Sequence, residues 1–201
     1  AAILYRFNGV TFENALNVVK DMTASERAST IAQAFKLDRF DTPLRELEHL
    51  NYTFDIVMDQ GAYFELKRHR MMTQTAQPLT ADLGWATPSA FEFANFKSEY
   101  ESVMQLATET YHTLAKEFPH EASYVVPNAF NRRVLMTLNL REAFSMCELR
   151  TAPNAHFAVR RVTARMYEMI HNVHPALAQF MRCGDRPRSD EIEKVFFVKV
   201  K

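Results

Sequence analysis

Leu50-Asn51-Tyr52-Thr53-Phe54-Asp55-Ile56-Val57, entered through Glu48-His49, alternates apolar and polar residues. Leu50, Tyr52, Phe54 and Ile56 fall to one side, and Asn51, Thr53 and Asp55 to the other. A period of two marks a strand with one face buried. Just beyond it, Asp59 is placed to cap a helix whose apolar stripe is Ala62, Tyr63 and Leu66. That helix would end on Arg68-His69-Arg70, where cations suit the negative end of the dipole. Strand and helix thus converge on a cationic cluster with histidines nearby. Paired guanidiniums grip phosphate well, because their forked donors take its oxygens two at a time. The same triplet also reads as an ordinary basic helix end that caps and solubilises.

Outward from this stretch, helical spacing dominates. Toward the start, residues 3–7 are a short apolar opening. Thr11 is a natural cap for a helix carrying Phe12, Ala15, Leu16 and Val19, and a second helix is expected over 25–35. Asp41-Thr42-Pro43 is a turn. After the basic triplet, Thr73, Thr75 and Gln77 alternate with their neighbours in an extended run that Pro78 should end. Residues 82–86 read as a loop, and Thr87-Pro88 as a helix start. An amphipathic helix is expected over 96–118, stopped by Pro119, and a short one leads through Ala122 to Pro127. A strand follows over 133–138, then helices over 140–149, 155–171 and 175–181. Residues 182–188 read as a loop and 195–200 as a closing strand.

Two hundred and one residues suit a single domain spanning 1–201, and 47% apolar residues can build its core. Only four glycines favour helix. Twenty-four basic against 24 acidic residues give a formal net charge of zero, which argues against a general nucleic-acid binder. Cys147 and Cys183 have no metal-ligand spacing and read as free thiols of a reducing, cytoplasmic compartment; no metal site is expected. No run is long enough to span a membrane. The chain begins Ala1-Ala2, which fits a fragment or half of a longer protein, or a processed product.

The order Glu48-His49, strand, helix, Arg68-His69-Arg70 resembles the flavin-dependent thymidylate synthase family. A second block is similar to it as well: Val126-Pro127, then Thr137-Leu138-Asn139-Leu140-Arg141, then Leu149-Arg150 eleven residues after Asn139, then Asn154-Ala155-His156-Phe157. The resemblance runs from about Thr42 to about Met181 and implies an α+β fold, with a central antiparallel sheet, packed helices and a helical portion. It implies reductive methylation of dUMP, or a related pyrimidine nucleotide, at C5. Methylenetetrahydrofolate would give the carbon, FAD would be the cofactor, NADPH the reductant, and the assembly a homotetramer. Carried over by position, His49, Arg68, Arg70, Asn139 and Leu149 would meet FAD. Arg150 would face the pyrimidine as catalytic and substrate-binding residue, and Thr73 would keep a substrate-loop hydroxyl.

Departures are equally clear. The family's Ala-Arg-x-Ser opening is missing. In the loop after the triplet, Thr75, Ala76, Pro78, Thr80 and Ala81 stand where that family has Asn, Glu, Ser, Arg and Tyr. Pro78 removes a backbone donor where an anion would sit. Ser123 replaces a common arginine. Glu65 replaces a glutamine, and a carboxylate beside phosphate repels it. The alternatives are a non-catalytic FAD-binding or structural half of such an assembly, and a helical interaction protein. On the bland side, Asn139 reads as a helix cap and Arg150 as a C-terminal dipole partner.

Overall fold

The computed structural model describes residues 1–38, 40–183 and 188–199. In chain order its elements are α1 (Ala2–Asn8), α2 (Phe12–Asp21), α3 (Ala24–Ala34), β1 (Asn51–Asp59), α4 (Gln60–Leu66), β2 (Met72–Ala76), β3 (Thr87–Pro88), α5 (Ser89–Phe93), α6 (Lys97–Leu114), β4 (Asn131–Asn139), α7 (Leu140–Arg150), α8 (Phe157–Val173), α9 (Pro175–Ala178), α10 (Ser189–Phe196) and β5 (Phe197–Lys199). Short 3₁₀ turns at Arg45–His49 and Glu121–Val125 lead into β1 and toward β4.

The architecture is α+β, around an antiparallel sheet ordered β1-β4-β2. The alternation read at Leu50–Val57 sets it. Phe54 and Met58 are buried while Thr53 and Asp55 are exposed, and Phe54 pairs with Met136 of the central strand. On β4, Val134, Met136 and Leu138 are at most 1% exposed, each burial being worth about 1.5–3 kcal/mol. They share one core with Phe144, Met146 and Cys147 of α7 and with Val159, Val162, Met166 and Ile170 of α8. Cys147 and Cys183 lie in this core as buried free thiols. A smaller core joins Met104 and Tyr111 of α6 to Ala122, Val126 and Phe130.

Several elements differ from the sequence expectation. The opening at residues 3–7, given no state from sequence, is part of helix α1. Thr87-Pro88 pairs as strand with β5, and the following helix starts at Ser89 with Pro88 as its cap residue. Pro88 has no backbone donor to lose at that edge, so the pairing tolerates it. Helix α10 runs on to Phe196, so the closing strand begins at Phe197; residue 200 of that expectation lies outside the described residues. Of the loop expected over 182–188, residues 184–187 likewise lie outside them.

Helix α4 is short. Asp59 accepts a hydrogen bond from Ala62 N–H at 2.8 Å through Oδ1, as a cap should. The helix stops at Leu66, and the His69 N–H donates to Leu66 C=O at 3.0 Å. Arg68-His69-Arg70 therefore lies in the turn beyond the helix and not in its last turn. That turn is what points His69 inward.

Candidate functional site

Helix α7 opens where β4 ends. Asn139 Oδ1 accepts from the Glu142 N–H at 2.9 Å, fixing the first turn. Glu142 and Arg150 are eight residues apart, which brings them to one side of the helix. The turn after α4 inserts His69 between them. Its Nδ1 lies 2.8 Å from Glu142 Oε1, and Arg150 Nε donates to Nε2 at 3.0 Å. Arginine can only donate, so Nε2 carries the lone pair. The ring is a neutral imidazole whose single proton, on Nδ1, goes to the Glu142 carboxylate.

Glu65 of α4 closes the other side. Its Oε2 accepts from an Arg150 terminal nitrogen at 2.6 Å, and its Oε1 lies 3.4 Å from an Arg68 terminal nitrogen. A continuous chain runs Arg68–Glu65–Arg150–His69–Glu142. The side chains of His69, Glu142 and Arg150 are 8%, 10% and 13% exposed, so these bonds are largely shielded from water, which makes their partners costly to remove. Gln74 donates to the carbonyls of Leu66 and His69 at 3.1 and 3.2 Å and holds the turn in place.

Beside Glu142 a groove of about 690 Å³ opens between residues 40–43 and α7; Arg150, His69, Glu65 and Arg68 do not line it. Pro43, Met71, Leu149 and Ala152 give it apolar walls, and Glu142 belongs both to the groove and to the buried chain. Its charges lean negative: Asp41, Glu48, Glu142 and Glu148 face two cations, Arg141 and Arg182. Both cations are engaged. Arg141 donates to Pro43 C=O and Glu48 at 2.9 Å. Arg182 donates to Asp38 C=O and lies 3.9 Å from Glu148.

The residues singled out from sequence are distributed unevenly. Arg68 and Arg150 are joined through Glu65. Asn139 lines the groove while capping α7, and Leu149, 54% exposed, lines it too. Arg70 is exposed and makes no hydrogen bond or ion pair among the described residues. His49 lies apart, exposed in a hollow formed with Tyr5 and Arg6 of α1 and with Glu46. Thr73 is on the solvent face of β2, opposite Thr137, whose hydroxyl meets that of Thr53 at 2.9 Å. Two residues of the cluster, His69 and Glu142, carried no assigned role in the sequence reading, and Glu65 was read there only as a carboxylate set against phosphate. His69 was visible as the middle of the triplet. Glu142 had only its place in the first turn of α7 to mark it. Among the described residues no group of three or more His, Cys, Asp and Glu could hold a metal ion.

At the far end of α4, Asp59 is 6% exposed and its Oδ2 finds no partner among the described residues. Burial raises its pKa above the ordinary carboxylate value, against the Ala62 hydrogen bond and the Arg161 charge that lower it. Nearby Tyr100 donates to Ala86 C=O at 2.7 Å, and burial, helped by the Asp59 charge, pushes its pKa up to about 12.

The chain is thus an α+β protein with an arginine–histidine–carboxylate cluster backing a surface groove. Residues 5–176 match the family described as thymidylate synthase complementing protein, and the chain belongs to that family. It is 32% identical over 193 residues to a UPF0159 protein of Chlamydia muridarum, a match covering 94% of this chain and 36% of that protein. A UPF0159 protein of Thermoplasma acidophilum is 32% identical over 197 residues, covering 93% and 39%. The flavin-dependent thymidylate synthase of Sulfurisphaera tokodaii is 33% identical over 144 residues, covering 67% and 56%. The chain therefore spans well under half the length of the two UPF0159 relatives. No described helix is long and apolar enough to cross a membrane.

Proposed function

We propose that this chain is the thymidylate synthase-like unit of a flavoprotein that reductively methylates dUMP, or a related pyrimidine nucleotide, at C5. One arrangement carries the reading: Arg150 and His69, 81 residues apart in sequence, are locked together at 3.0 Å, and Glu142, which His69 also meets, lines the adjoining groove, on a chain matched to the family over residues 5–176. His69 and Glu65 fix the guanidinium plane of Arg150, so it is oriented before any ligand arrives. Such an arm polarises a pyrimidine carbonyl. FAD, when bound, would pass reducing equivalents from NADPH to the carbon donated by methylenetetrahydrofolate. Pro43, Met71 and Leu149 suit a planar ring, and Asn139 faces the same space. The diphosphate is less well served, because the groove's carboxylates outnumber its two engaged arginines. Arg70 stands open to solvent, where it can serve the phosphates of a flavin held between subunits of a homotetramer.

A visible spectrum of the purified protein is the direct test. The expected result is a flavin band that NADPH bleaches, with turnover of dUMP in the presence of methylenetetrahydrofolate. A protein that takes up no flavin from excess contradicts the reading. The negative groove and the altered loop at Pro78 favour a second reading, a non-catalytic half that completes or supports such an assembly. Turnover of dUMP by this chain alone excludes it.

A further inference from the structure

We infer that Glu65 is a resident counter-carboxylate that sets the specificity of the Arg150 site: it makes the site read an uncharged pyrimidine edge and turn phosphate away. The inference deepens the pyrimidine-binding reading above and rests on it.

The observation is geometric. One carboxylate bridges the two guanidiniums that would otherwise form an anion clamp, at 2.6 Å to Arg150 and 3.4 Å to Arg68. On the other flank, Glu142 reaches Arg150 through a neutral His69. Two cations are therefore matched by two carboxylates, and the cluster offers an incoming anion no net attraction. Its most enclosed member, Arg150, has its Nε and one terminal nitrogen already committed. A phosphate entering here would have to displace Glu65 or sit against it, at a distance where like charges repel strongly in a partly dry site. A neutral base edge meets the opposite situation. Glu65 accepts from a ring or exocyclic N–H, and Arg150 donates to the adjacent carbonyl or ring nitrogen. An edge with a donor beside an acceptor is what a pyrimidine presents. Glu65 has a side chain 30% exposed, so a ligand can reach it without unfolding the turn. The altered loop after the triplet, where Pro78 has replaced a donor, agrees with a site that no longer grips phosphate.

The test compares dUMP with deoxyuridine by calorimetry on the whole protein and on Glu65→Gln. Glutamine keeps one oxygen for Arg150, removes the charge and turns the second acceptor into an N–H donor, so it gives up the Arg68 contact as well. The wild type is expected to bind the two ligands within about threefold of each other, and the variant to favour dUMP by about tenfold or more, with deoxyuridine weakened because the amide's one oxygen stays on Arg150 and its nitrogen cannot accept from the base. The gained dUMP affinity should also weaken with added salt, as a merely structural exchange would not. Glu65→Ala should move the ratio in the same direction and serves if the first variant does not fold. An unchanged ratio in both variants, or no binding of either ligand, overturns the inference. Flavin absorbance is read separately on the same samples. A colourless protein whose ratio shifts sinks the flavin reading and leaves this one standing; a yellow protein with an unmoved ratio does the reverse.

Discussion

Helix α4 carries a carboxylate near each end, and the two live in opposite surroundings. Asp59, at the N-terminus, is sealed in protein with one oxygen capping the helix and the other unpartnered among the described residues. Glu65, near the C-terminus, is half-buried and held by two guanidiniums. The first serves the fold and bears a desolvation cost for doing so. The second bridges Arg68 and Arg150. A seven-residue helix is thus a bracket between a structural end and a chemical end.

Breaking the chemical end should have the larger effect. Arg150→Ala leaves Glu65 and the His69 ring without their partner in a shielded place; a loss of roughly 2 kcal/mol in denaturant unfolding is expected, with loss of pyrimidine binding. Wild-type stability in that variant would mean the chain of bonds holds nothing together.

At the structural end the outcome depends on what replaces the carboxylate. Asp59→Ala forfeits the cap, worth about 1 kcal/mol, but also removes a buried charge. Asp59→Asn keeps the acceptor and should be more stable than Asp59→Ala by about that amount. The pH dependence sharpens this. Burial raises the folded-state pKa of Asp59 above its ordinary 3.8, so the folded chain keeps that proton where the unfolded chain has released it. Its contribution is present in full below 3.8 and is lost as pH rises through the higher folded value. The stability of Asp59→Asn relative to wild type should therefore grow as pH is raised from about 4 toward neutrality. A constant difference across that range would show the carboxyl to be ordinary.

The smallest effect lies one residue further out. The Asp59 charge adds to burial in holding the Tyr100 hydroxyl near 12. In Asp59→Asn the alkaline ultraviolet titration of Tyr100 should shift slightly downward while staying above that of a free tyrosine. No movement would mean that burial alone sets it.

Much of the fold was legible because it rests on local periodicity. Alternation at Leu50–Val57 gave β1, Asp59 was correctly placed as a cap, and the stripes over α6, α7 and α8 gave helices within a few residues of their ends. The errors fell where backbone pairing decides. Thr87-Pro88 has the signature of a helix start, yet β5, more than a hundred residues later, recruits it as a strand. The site was legible only as residue types. Nothing in the linear order says that the basic triplet lies past the end of α4, that His69 points in while Arg70 points out, or that His49 belongs with α1.

The sequence by itself determined that the chain is α+β, where its helices and central strands run, and that arginines from two distant blocks matter. Those features depend on neighbours a few residues away. Tertiary structure alone decided what the arginines do. Glu65 read as a charge set against phosphate, and in the folded chain it is the bridge between Arg68 and Arg150. A charge's effect depends on which opposite charges stand within about 4 Å, and here that distance is fixed by the packing of α4 against the sheet and α8, with α7 alongside.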